Sequence, residues 1–286
     1  MAPRPSPQPR PSPRPASQDG LAVAGLILAL ISAAGYIGGL AVNQSPPSGK
    51  SAVFAYGAEA VLAVVALTAL VARRIRRALL PFVLGTTFLS MAGLAYDVLA
   101  IPGYHVLAAD RGNHAKAAFA ANAIGDIVGA AAAIILLVAV RRMHGRGRWA
   151  PPRIIPVLLL AFTVLGPLAW AGVWADRVYH QDGNNYGSGW GAGPFWSTDY
   201  PFIVFIAAGL IVALFAGLCA LGLENRVASG VMVIGWTVAM FLYFAQIITE
   251  GWDYSSTAVA VNGVAALLML ATVVLALIYA TRGRGA

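Results

Sequence analysis

Apolar residues are gathered into eight long stretches separated by short polar gaps. The stretches run approximately over 21–42, 52–72, 78–101, 117–140, 154–175, 201–223, 227–248 and 256–281. Each is close to the roughly 20 residues that an α-helix needs to cross a bilayer core of about 30 Å. The pattern predicts an all-α integral membrane protein, an eight-helix transmembrane bundle with both chain ends on one side.

Positive charge falls on alternate gaps between these stretches. Fifteen of the 19 Lys and Arg residues lie in the N-terminal tail, in the even-numbered gaps or after the last stretch. Only Lys50, Arg111, Lys116 and Arg177 lie in the odd-numbered gaps. Because basic residues beside transmembrane helices are retained in the cytoplasm, this asymmetry predicts a multi-pass protein of the cell membrane with N-in/C-in topology.

The composition leaves little material for a soluble domain, since 59% of the residues are hydrophobic and 10% are charged. The net charge of +8 is carried by short clusters at helix ends. Such clusters fit anionic lipid headgroups, so we expect membrane lipids and no nucleic acid as partners. The single cysteine, Cys219, lies in the sixth stretch, so an internal disulfide is impossible.

The two chain ends are predicted to be cytoplasmic. Residues 1–20 have proline at every odd position from Pro3 to Pro15, which predicts a disordered tail. A docking segment for a proline-recognition partner is the alternative. The first stretch stays apolar to about Val42, so it is longer than the core of 7 to 15 apolar residues found in a signal peptide. We therefore expect it to be an uncleaved membrane anchor; a cleaved signal peptide is the alternative. Residues 282–286 form the cytoplasmic end.

Spacing suggests that the bundle is two parallel four-helix repeats, over 21–148 and 154–281. Twenty positions separate Arg77 from Asp97, and twenty separate Arg226 from Gln246. The same interval recurs between the pairs Asn122 with Arg142 and Asn262 with Arg282. Four crossings per repeat would relate the halves by an axis along the membrane normal, although helices of one length match easily by chance.

Glycine pairs with G-x-x-x-G spacing predict close helix packing. Gly35 and Gly39 lie in the first stretch, and Gly125 and Gly129 lie in the fourth. Such pairs let two backbones approach closely. The contact could lie within one chain, in a homo-oligomer or against a partner membrane protein.

Three carboxylates lie within the predicted spans, at Glu59, Asp97 and Asp126. An acid inside a membrane should turn inward, pair or keep a proton, and no basic residue lies within any stretch to neutralise these three. The candidate residues for binding a ligand or proton are Glu59, Asp126, Asp97, Tyr56, Asn122, Gln246 and Asn262. We expect Glu59 and Asp126 to be the principal groups of an outward-facing acidic pocket. Packing carboxylates without a ligand are the alternative.

The chemistry that is absent limits the function. No histidine or lysine lies in a stretch to hold haem or retinal, and no G-x-x-x-x-G-K-[ST] motif is present. The loop residues His105, Asp110, His114, His180, Asp182 and Asp199 show no diagnostic metal spacing. We therefore expect no cofactor and no metal.

Three classes of function remain open. The sequence favours a non-enzymatic binding, sensing or assembly subunit that takes a small polar solute or a cation. The alternative is a transporter or channel for a small solute or a cation. A membrane-embedded enzyme ranks last, because the pair of Tyr56 and Glu59 is too common to indicate a reaction. An inner half without acids or histidines argues against proton-coupled transport.

Overall fold

The computed structural model describes residues 16–42, 49–145, 156–164, 199–249 and 256–282. These residues form eight helices and no strands. In chain order the helices are α1 (Ala16–Val42), α2 (Gly49–Val71), α3 (Arg73–Thr87), α4 (Leu89–His144), α5 (156–164), α6 (Asp199–Leu221), α7 (Arg226–Thr249) and α8 (Ser256–Thr281). The predicted all-α class is confirmed for the described part of the chain.

Membrane-spanning length and composition are found in five segments of the described helices. These segments are Asp19–Val42, Ala52–Val71, Arg73–Ala95, Ala120–His144 and Gly263–Thr281. Two further apolar helices, Ala207–Leu221 and Arg226–Leu242, are shorter. Of the predicted stretch 154–175, only 156–164 is described. The described chain therefore has the features of a multi-pass membrane protein, with five of the eight predicted crossings long enough to span.

The helix α4 folds back on itself. Ser90 packs against Gly129, and Gly93 packs against Asp126. Because a straight helix would separate residues 93 and 126 by about 50 Å, the chain must reverse direction between them. We call 89–95 the first arm and 120–144 the second arm. Their antiparallel pairing agrees with the predicted successive stretches 78–101 and 117–140.

Two boundaries differ from those expected from the sequence. α1 begins at Ala16, within the predicted tail, and the helical assignment of α4 includes 102–116, which we predicted as a loop. The segment 106–119 is rich in Ala and also contains Leu and Lys, all strong helix formers, so its propensity outweighs the turn signal of Gly112 and Asn113. Residues 1–15 lie outside the described residues.

Basic residues meet at one end of the bundle, which we call the basic end. Arg76 donates from Nε to the carbonyl of Ala69 at 2.9 Å and from Nη2 to that of Leu70 at 2.8 Å. It thereby satisfies two of the last carbonyls of α2, which have no partner within the helix. Asp19, in the first turn of α1, lies 3.9 Å from Arg76.

The turn between α6 and α7 also lies at the basic end. The side-chain oxygen of Asn225 accepts hydrogen bonds from the backbone N–H groups of Val227, at 2.9 Å, and Ala228, at 3.2 Å. Asn225 therefore caps the start of α7. The guanidinium of Arg226 lies 5.9 Å from the ring centre of Tyr279, near the end of α8.

The core of the bundle lies around α7, which packs against α2, α3, α6 and α8. Met232, Val233 and Trp236 of this helix are almost fully buried. A Cβ atom on Gly85 of α3 would come within 2.8 Å of the Trp236 backbone nitrogen, so α3 and α7 meet backbone to backbone. Glycine is therefore required at position 85, since any side chain would force the two helices apart.

Candidate functional site

Asp126 is buried between α1 and the two arms of α4. Its side chain is on the second arm and only 3% of the residue is exposed. The hydroxyl of Tyr36, on α1, donates a hydrogen bond to Asp126 Oδ1. On the first arm, Gly93 leaves the space that the carboxylate occupies, because a Cβ there would collide with it. The acid is therefore enclosed by three helical segments.

The two predicted glycine pairs pack against each other and build this enclosure. A Cβ on Gly35 would lie 3.1 Å from the Gly125 Cα atom, and one on Gly39 would lie 3.2 Å from the Ala118 carbonyl oxygen. Ser32 Oγ donates to the Gly125 carbonyl at 2.8 Å. The contact predicted from G-x-x-x-G spacing is thus made within one chain, between α1 and the second arm of α4.

Asn122 lies one helical turn before Asp126 on the second arm. Its side chain packs against Gly39 of α1. The amide oxygen Oδ1 is buried and has no hydrogen-bond partner among the described residues. It is an acceptor that the described packing leaves unused.

Glu59 continues the inward face of α2. Leu62, Ala66 and Ala69 are buried, and Glu59 precedes them by three, seven and ten positions, so all four lie on one stripe of the helix. Glu59 itself is half-buried. Its Oε2 atom is buried and finds no hydrogen-bond partner in the described part of the chain.

The helix α1 links the two acids. α2 packs against α1, α3 and α7, and the second arm of α4 contacts α1 through its glycines. Glu59 lies seven residues from Ala52 and Asp126 six from Ala120, which places each about 10 Å from the same end of its span. A direct approach of the two carboxylates remains a prediction.

The other candidate residues are placed only by their backbone or exposure. Tyr56 is half-buried on α2. Asp97, Gln246 and Asn262 belong to α4, α7 and α8, and their side chains lie outside the described residues. Across the described residues, no group of three or more His, Cys, Asp or Glu side chains could hold a metal ion.

Sequence reasoning missed Tyr36, Ser32, Ser90 and Gly93 around Asp126. Tyr36 directly follows the first glycine of the Gly35 and Gly39 pair, so a polar side chain beside a predicted contact was the available signal. Ser32 lies one turn earlier on the same helix. Nothing in the sequence distinguishes Gly93 from the many other glycines, since its role depends on the fold of α4.

Comparison with protein-family models, with curated proteins and with solved structures finds no match to this chain.

Proposed function

We propose that this protein is a non-enzymatic binding or sensing subunit of the cell membrane, and that Glu59 and Asp126 form an acidic pocket for a proton, a cation or a small polar solute. The observation that carries the proposal is a buried oxygen of Glu59, on the inward face of α2, which has no hydrogen-bond partner in the part of the chain that the structure describes. Burying a polar atom without a partner costs about 1 to 3 kcal/mol, so a ligand that supplies the missing interaction is favoured.

The chemistry of the pocket supports a positively charged or hydrogen-donating ligand. Glu59 Oε2 and Asn122 Oδ1 are both oxygen acceptors without a partner among the described residues. Oxygen ligands suit protons, hard cations and ammonium groups, whereas an anion would be repelled by the carboxylates. No Lys or Arg lies inside the predicted stretches to neutralise the two acids. Protonation or cation binding would neutralise them instead.

Packing favours binding over transport. The fourteen residues from Ile127 to Val140 of the second arm are all apolar or glycine. Gly129, Ala132, Leu136 and Val140 along this segment are buried. A transporter needs a route from its site to both sides of the membrane, and the segment from Ile127 to Val140 offers no polar group for such a route.

The orientation and the duplication belong to the same proposal. Eight crossings with N-in/C-in topology would put the acidic pocket towards the outside. The contact of α3 with α7, which occupy equivalent places in the two proposed repeats, supports the duplication. Labelling of single cysteines at Ser188 and Gly145 by an impermeant reagent, in a Cys219→Ala background, tests the topology, which requires position 188 to react in intact cells and position 145 not to.

A test of the pocket is the dependence of thermal stability on pH and on added cations. For the purified full chain in detergent micelles, we expect the unfolding midpoint to change with pH or with one of Na⁺, K⁺, Mg²⁺ and Ca²⁺. Glu59→Gln combined with Asp126→Asn should keep the fold and remove this dependence, because both variants imitate the protonated acids. Glu224→Gln, an exposed acid at the basic end, is the matched control.

The proposal would be overturned by either of two results. One is a stability profile that is flat in the wild type. The other is a profile that the double variant retains, since the acids would then be ordinary packing groups.

A further inference from the structure

The junction of α3 with the second arm of α4 is built around a proline. Pro81 has no N–H group, so the carbonyl of Arg77, four residues earlier, loses its usual helical partner. His144 Nε2 lies 3.0 Å from that carbonyl oxygen. Because a carbonyl can only accept, Nε2 carries the proton and donates it. Arg77 in turn donates from Nη2 to the carbonyl of Met143.

Two nitrogen atoms at this junction lack partners. Arg141 Nε and His144 Nδ1 are buried and have no hydrogen-bond partner among the described residues. Only 8% of His144 is exposed. The two residues are three positions apart, which places their side chains on the same face of the helix. Arg141 Nε is always a donor, whereas Nδ1 of a His144 ring that carries its proton on Nε2 is an acceptor.

The charges around this face are mainly positive. Arg77, Arg141 and Arg142 surround the end of the second arm, and Arg142 is exposed. Among the described residues, the carboxylate of Glu224, an exposed acid, packs against Gly145 just beyond the helix. Gly145 ends the second arm of α4, and its φ of 78° lies in the left-handed region that favours glycine.

We propose that this junction binds a phosphate group through Arg141, and that the phosphate is that of an anionic phospholipid. A guanidinium binds phosphate oxygens through charge-assisted hydrogen bonds, and its Nε–H is one of the donors that match phosphate geometry. The junction lies at the basic end of two membrane-spanning segments, where lipid headgroups are in contact with the protein. The site is independent of the acidic pocket near the opposite ends of these helices.

Binding is tested with the full chain in neutral detergent micelles. We would titrate short-chain phosphatidylglycerol and, separately, short-chain phosphatidylcholine, and follow the thermal unfolding midpoint and native mass spectra. We expect phosphatidylglycerol to bind and stabilise the wild type more than phosphatidylcholine does. Inorganic phosphate and glycerol phosphate form a third arm, and stabilisation by these soluble anions alone would assign the site to a free phosphate and overturn the lipid.

Variants separate a specific site from general attraction to positive charge. Arg141→Gln should raise the dissociation constant for phosphatidylglycerol by about tenfold, the loss expected for one charge-assisted hydrogen bond. Arg142→Gln removes the same charge from the neighbouring exposed position and should change it by less than about twofold, as expected of a screened surface charge. Arg141→Lys keeps the charge without the Nε donor and should bind as weakly as Arg141→Gln.

Equal weakening by Arg141→Gln and Arg142→Gln would overturn the proposal, because binding would then follow net charge. Full binding by Arg141→Lys would also contradict it, since Nε would not be required. If Arg141→Gln does not fold, the Arg141→Lys variant decides between these outcomes.

Discussion

Asp126 and Glu59 are two acids at similar depth in opposite surroundings. Asp126 is enclosed by α1 and both arms of α4, where it accepts a hydrogen bond from Tyr36. Glu59 is half-buried on α2, and its Oε2 has no partner among the described residues. The carboxyl group of Asp126 is thus part of a helix interface with a hydrogen bond, whereas the carboxyl group of Glu59 has an oxygen without a hydrogen-bond partner among the described residues.

Within the proposed pocket, the contrast separates an acid that also holds helices together from one whose Oε2 atom has no hydrogen-bond partner among the described residues. In a membrane the hydrophobic effect does not drive helices together, so small residues and interhelical hydrogen bonds stabilise their contacts. Asp126 has both kinds of support. Glu59 Oε2 has no interhelical hydrogen bond among the described residues, so the buried oxygen lowers stability unless something binds to it. Replacement by apolar residues should therefore act with opposite signs at the two positions.

The largest expected effect comes from leucine at each position. Asp126→Leu should lower the free energy of unfolding by roughly 3 kcal/mol, because it removes the partner of Tyr36 and presses a branched side chain against Gly93. Glu59→Leu should raise it by about 1 kcal/mol, because it replaces an uncompensated polar group on an apolar stripe. The measurement is equilibrium unfolding by SDS in mixed micelles.

Changes of the same sign for the two leucine variants would break the comparison. A destabilised Glu59→Leu in particular would mean that Glu59 already contributes to packing. Thr68→Leu, on the exposed side of α2, provides the control for adding a leucine to this helix.

The next effect concerns the glycines beside the two acids. Gly35→Ala should cost about 1 to 2 kcal/mol, because its Cβ would lie 3.1 Å from the Gly125 Cα atom and push α1 away from α4. Gly57→Ala, two residues before Glu59, meets nothing within 4 Å and should stabilise α2 by up to about 1 kcal/mol through helix propensity. The same unfolding measurement decides, and a cost at both positions would mean that α2 is packed as tightly as α1.

The sequence was sufficient to predict the helices and the close packing of the glycine pairs, because both follow from local patterns. It left open whether the glycine contact lies within one chain or between chains. The length of an apolar stretch identifies a helix that can span a membrane. The G-x-x-x-G spacing identifies a helix face that another helix backbone can approach closely. The sequence was not sufficient to find Tyr36 or Gly93 around Asp126, since these residues are 90 and 33 positions away along the chain. Their meeting depends on how α4 reverses and on which face of α1 it meets. Similarly, nothing in the sequence links Pro81 to His144.

The smallest expected effect comes from removing one hydroxyl from each of two tyrosines. Tyr36→Phe should lower the free energy of unfolding by about 0.6 kcal/mol and by no more than about 1.7 kcal/mol, because the bond to Asp126 is lost and these are the average and the maximum for interhelical hydrogen bonds in a membrane protein. Tyr56→Phe, one turn before Glu59, should change it by less than about 0.5 kcal/mol, as surface-like substitutions do. Combining Tyr36→Phe with Asp126→Asn should cost less than the two single changes added together, because both remove the same contact. Strictly additive losses would show that Tyr36 and Asp126 stabilise the bundle separately, and Asp126 would then lose the partner that distinguishes it from Glu59.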